Sequence, residues 1–180
     1  VAWQALYEGV LHKKVKGEFF LKLCIKHLPQ EKNNLVVNRT LSFLKIIYST
    51  YLDEGSRQLI QDDLERFCIN MVNNKAEGKN KKSYFNTLLS ICSSPKSCSY
   101  LSSVLKGEQD LPEDVTINEQ DKISIAFNLV LRDTSVYEDT KAYVMRTVKN
   151  KDLLDRFEYV YPSLSGDKQV RDSVFNALLV

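Results

Sequence analysis

Leu35-Val-Val-Asn-Arg-Thr-Leu-Ser-Phe-Leu-Lys-Ile-Ile-Tyr-Ser-Thr-Tyr-Leu52 is the stretch that decides the fold class. Val37, Leu41, Leu44, Tyr48 and Tyr51 recur at steps of three and four, which places them on one face of an α-helix. Val36, Phe43 and Ile47 give the same segment a second apolar side. A helix that is apolar on two sides needs neighbours on both, so this one is expected at the centre of a helical assembly.

The same period continues in both directions. Upstream, Phe20, Leu23, Cys24, His27 and Leu28 share a stripe, and a first helix is expected over 2–12. Downstream, Ile60, Leu64, Phe67, Cys68 and Met71 form a stripe, followed by Phe85, Leu88, Leu89 and Cys92, then by Cys98, Leu101 and Leu105. Beyond a longer loop, Asn118 is placed to cap a helix carrying Ile123, Ala126, Phe127 and Val130. Three further segments carry Val136, Tyr137, Val144 and Val148; Leu153, Phe157, Val160, Tyr161 and Leu164; and Val170, Val174 and Leu178. Glycines and prolines fall between the segments: Gly17, Pro29, Gly55, Gly78, Pro95, Gly107, Pro112 and Gly166.

Ten helices are therefore expected, starting near residues 2, 17, 35, 56, 82, 96, 118, 135, 151 and 167. The mean step is about 18 residues, so a helical hairpin recurs about every 37, beside about 34 for tetratricopeptide and 40–47 for HEAT or armadillo units. The fold class is all-α, an α-α superhelix of stacked antiparallel hairpins, with a compact bundle as the second choice. No run alternates apolar and polar residues as a half-buried strand does, although 115–117 could be briefly extended.

Composition narrows the function classes. The 180 residues are 43% hydrophobic and 27% charged, which suits a folded domain and excludes disorder. With 25 basic and 23 acidic residues, the net charge of +2 is small for a protein that lives on phosphate contacts. No apolar run approaches the roughly 20 residues of a membrane span. The lysine run Lys75-Ala-Glu-Gly-Lys-Asn-Lys-Lys82 lacks interleaved aromatics and reads as a solvated loop, so no nucleic-acid partner is expected.

Catalytic patterns are missing as well. His12 closes the first helix beside Lys13 and Lys14, and His27 lies on an apolar stripe, where a hydrogen-bonded core residue is expected. No His-Glu-x-x-His, nucleophile elbow or phosphate loop occurs, and Cys24, Cys68, Cys92 and Cys98 lack zinc or redox spacing. The cysteines are read as small buried apolar groups. The adjacent carboxylates Asp62–Asp63, Glu113–Asp114 and Glu138–Asp139 point to different sides of a helix and read as solvated surface. Asn38-Arg39-Thr40 matches a glycosylation sequon but falls inside the deciding helix, where it is expected to be inaccessible. The residues alone thus describe an interaction or support module with neither a catalytic nor a metal site of its own.

Two stretches resemble the C-terminal helical domain of the aminopeptidase N family of zinc metallopeptidases, in its bacterial, Bacteroides-type branch. One is Leu21-Lys-Leu-Cys-Ile-Lys-His-Leu-Pro-Gln-Glu-Lys32 with the long helix after it. The other is Phe157-Glu-Tyr-Val-Tyr-Pro-Ser-Leu-Ser-Gly-Asp-Lys-Gln-Val-Arg-Asp-Ser-Val-Phe175, preceded by Val148-Lys-Asn-Lys-Asp152. Val104-Leu-Lys-Gly107 fits a helix end that recurs in that domain, whereas Asn118-Glu-Gln-Asp-Lys-Ile123 departs from the arginine-tryptophan helix usual there. The resemblance implies a single helical-repeat domain over 1–180, a piece from the C-terminal part of a larger enzyme. It implies no catalytic residue and no cofactor in this chain, with zinc held by an absent catalytic domain. The partners it implies are that catalytic domain and the peptide substrate, whose chamber this domain shapes or gates. Arg171 is the candidate substrate-binding residue, facing the peptide's C-terminus; the competing reading pairs it with Asp167 on the helix surface. A free-standing HEAT-like scaffold is the alternative.

Overall fold

A computed structural model describes residues 2–74 and 80–179. Among the described residues the protein is all-α, with ten α-helices and no strand. The chain divides into two compact units, Val1–Ser97 with Leu111–Thr116, and Cys98–Asp110 with Ile117–Val180.

The first unit holds α1 (Ala2–Leu11), α2 (Gly17–His27), α3 (Asn34–Ile46), α4 (Glu54–Val72), α5 (Lys81–Ile91) and the start of α6 (Pro95–Lys106). Short polar side chains open the helices, because the first-turn N–H groups have no partner within the helix. Asn33 Oδ1 accepts from Leu35 N at 3.0 Å to open α3, and Asp53 Oδ1 accepts from Ser56 N at 2.8 Å to open α4. The α4–α5 pair is the most extensive helix packing, and α3 lies against α5, α2 and α1. As its two apolar sides require, α3 buries Val37, Leu41, Phe43 and Leu44.

The deciding helix does not run unbroken to Leu52. It passes into a π-helical turn over Ile47–Tyr51. The wider turn shifts the phase of the side chains. Ile47, Tyr48 and Leu52 are buried together, while Tyr51, expected on the buried stripe, turns outward. Gly17 lets α2 approach this turn. A Cβ there would stand 2.7 Å from Leu52 Cδ2 and 3.1 Å from Ile47 Cγ2.

The second unit holds the rest of α6, then α7 (Glu119–Arg132), α8 (Tyr137–Thr147), α9 (Lys151–Val160) and α10 (Lys168–Ala177). Asn118 and Asp121 form the reciprocal capping box that opens α7, with Asn118 Oδ1 accepting from Asp121 N and Asp121 Oδ2 from Asn118 N, both at 2.8 Å. Ile123, Ala126, Val130, Val144, Val148, Phe157 and Tyr161 make the core, with Phe127, Tyr137, Leu153 and Leu164 packed on it. Residues 115–117 lie in the irregular connection before α7.

Several expected surroundings are corrected. His27 is exposed, because it falls in the last turn of α2 where the stripe rotates away from the core. Val160 and Leu178 are exposed, and α10 buries no residue at all. Asn38 does lie inside α3, yet its side of the helix faces solvent, while Thr40 two residues on is buried. Cys24, Cys68 and Cys92 are buried as expected, and Cys98 is half-buried. Of the lysine run, residues 75–79 lie outside the described residues.

Candidate functional site

The first unit carries a cleft of about 430 Å³. Its wall is a 3₁₀ turn, Leu28–Gln30, in which α2 ends. Pro29 explains the turn: it cannot continue an α-helix, because its ring clashes with the preceding turn and it has no N–H to donate. Leu28, Val37, Met71 and Tyr84 form an apolar floor from this turn and from α3, α4 and α5. Gln30, Glu31, Lys32, Asn34 and Asn80 form a polar rim.

The rim is tied by hydrogen bonds. Asn33 N donates to Glu31 Oε1 at 2.9 Å, and Asn80 Nδ2 donates to Asn34 Oδ1 at 3.0 Å. Asn80 adopts the left-handed backbone region, at φ 51°, that asparagine tolerates better than most residues. Tyr84 is 1% exposed, and its hydroxyl has no hydrogen-bond partner among the described residues. Burial raises its pKa above the usual tyrosine value, and the nearby Cys68 and Cys24 thiols add to the effect. Burial likewise pushes both thiols up. These groups stay protonated, so none is an activated nucleophile. With an apolar floor, an amide-rich rim and one charge of each sign, the cleft is suited to binding and carries no nucleophile–base pair.

The residues singled out in the sequence fall elsewhere. Arg171 belongs to the second unit, exposed on α10, and its guanidinium donates to the Ser165 carbonyl. Asp167 is not its ionic partner: that carboxylate accepts from Gln169 N at 2.8 Å and caps α10. His12 and His27 are both exposed. No group of three His, Cys, Asp or Glu able to hold a metal occurs among the described residues. Asp62, Asp63, Glu138 and Asp139 are solvated as expected, whereas Asp114 pairs with the buried Lys81. The proline turn that walls the cleft was legible as helix punctuation. That Met71 and Tyr84 floor it was not: Met71 read as an ordinary stripe residue, and Tyr84 stood outside the stripe Phe85, Leu88, Leu89 and Cys92.

No helix among the described residues is long and apolar enough to cross a membrane. Comparison of the chain with protein-family models, curated proteins and solved structures returned no match.

Proposed function

We propose that this chain is a non-catalytic helical domain of a zinc aminopeptidase, capping the catalytic domain and shaping or gating its peptide chamber. The observation that supports this reading is a shared local design at the two resembling stretches. Each closes an α-helix in a 3₁₀ turn containing a proline, Leu28–Gln30 after α2 and Tyr161–Leu164 after α9. Each then opens the next helix on an asparagine or aspartate cap, Asn33 for α3 and Asp167 for α10. Repetition of one helix–turn–helix device at these stretches suits a helical-repeat domain.

In this reading the chain supplies surface and leaves the chemistry to another domain. The zinc of this reading is held by that other domain, where it would lower the pKa of a bound water to about 7. A domain without acid, base or metal affects turnover by positioning substrate or by gating a conformational step.

Sequencing the reading frame that encodes the chain tests the proposal. A His-Glu-x-x-His helix upstream in the same frame is expected, and a frame without one overturns it. Given such a parent, removal of this domain should raise KM for peptides more than for a single-residue anilide. The free-standing scaffold is the second reading, favoured by the cleft beside Pro29. A complete frame close to the length of this chain would support it.

A further inference from the structure

The chain passes between its two units three times, after Ser97, Asp110 and Thr116. The buried charged side chains gather at these passages. Glu65, Lys81 and Asp121 are the charged residues that are buried among the described residues. Glu65, on α4 and 1% exposed, holds the chain just before the first passage. Its carboxylate accepts from Ser93 N at 2.7 Å, from Ser94 N at 3.2 Å and from both serine hydroxyls. Ser94 Oγ in turn accepts from Ser97 N at 3.2 Å, capping the first turn of α6. Lys81, on α5 and 5% exposed, holds the returning segment 111–116. Its Nζ donates to Asp114 Oδ1 at 2.7 Å, and the next residue, Lys82, donates from Nζ to the Thr116 carbonyl at 3.0 Å. Asp121 closes the capping box of α7 just beyond the last passage.

Burying a charge is costly unless it is paired, and an apolar side chain of similar size would fill the space as well. What an apolar contact cannot do is fix register, because it has no direction. Charge-assisted hydrogen bonds to named backbone and side-chain atoms can. We propose that Glu65 and Lys81 are positioning residues that pin the chain to the first unit at the places where it leaves and re-enters. The two ties act on separate segments: the Glu65 hydrogen bonds go to 93–94 and the Lys81 ion pair to 114. The proposal stands whether or not the chain belongs to an aminopeptidase.

Hydrogen–deuterium exchange of the full chain, read by mass spectrometry, tests this in Glu65→Gln and Lys81→Met. Each substitution keeps most of the side-chain volume and removes the charge. Glu65→Gln should speed exchange in 93–106 by about tenfold or more, the low end for loss of charged hydrogen bonds, and leave 111–116 unchanged. Lys81→Met should do the reverse. Both should leave the protection of α2 and α3 at the wild-type level. Ser94→Ala and Asp114→Asn, which weaken the same ties from the partner side, should give the same two patterns in milder form, and they decide the matter if a buried-charge variant fails to fold. Uniform loosening of the first unit by these milder variants, or no local change in any variant, overturns the proposal.

Discussion

The two units organise their aromatic residues differently. In the first, rings meet in separate pairs: Trp3 with Phe20 at 5.7 Å, Tyr7 with Phe43 at 4.1 Å, and Phe67 with Tyr84 at 5.6 Å. Aliphatic residues from five helices fill the space between them. In the second, four rings form one connected cluster. Phe157 and Tyr161 are 4.4 Å apart, each meets Phe127, and Tyr161 stacks on Tyr137 at 4.6 Å. Two of these rings, Phe157 and Tyr161, are buried in the second unit's core beside Ile123, Ala126, Val130, Val144 and Val148, and Phe127 and Tyr137 pack on it half-buried. A ring in a separate pair loses one aromatic contact when it is removed, whereas a ring in the connected cluster loses two or more at once.

Phe157→Ala is the most severe break of this comparison. It should cost about 3–5 kcal/mol in chemical denaturation, the range for emptying a buried aromatic site. Phe67→Ala in the first unit should cost about 1 kcal/mol less, because it forfeits one aromatic pair rather than two. Equal losses would mean that the connected cluster adds nothing beyond burial.

Removing a helix start should come next. Asn118→Ala deletes one half of the capping box of α7 and should cost about 1 kcal/mol, read as a lower denaturation midpoint at unchanged m-value.

Two buried tyrosines sharpen the contrast further. Tyr161 donates its hydroxyl to the Tyr137 carbonyl at 3.0 Å, while the Tyr84 hydroxyl has no partner among the described residues. Tyr161→Phe should therefore destabilise by about 1 kcal/mol, and Tyr84→Phe should be neutral or slightly stabilising because it removes an unsatisfied buried group. A matched loss in both variants would reveal a bridging water at Tyr84.

The smallest effect is expected at the end of the second unit. Phe175 is 63% exposed on α10, so Phe175→Ala should change stability by no more than about 0.5 kcal/mol. A larger loss would place this helix in the core after all.

The helix period alone determined the all-α class and nearly every helix start, because apolar spacing, prolines and asparagine or aspartate caps are local signals that act within one or two turns. Local signals failed where neighbours from distant parts of the chain decide. Tyr51 sits in phase with its stripe, yet the π-helical turn that buries Tyr48, and Ile47 and Leu52 against Gly17, rotates it outward. His27 and Val160 also kept the period but reached the edge of what their neighbours cover. Glu65 carried no signal in the sequence pattern, and Lys81 read as part of a charged loop. Only tertiary packing carried them inside, because their partners, 28 and 33 residues away, offer the donors and the carboxylate that make burying a charge tolerable.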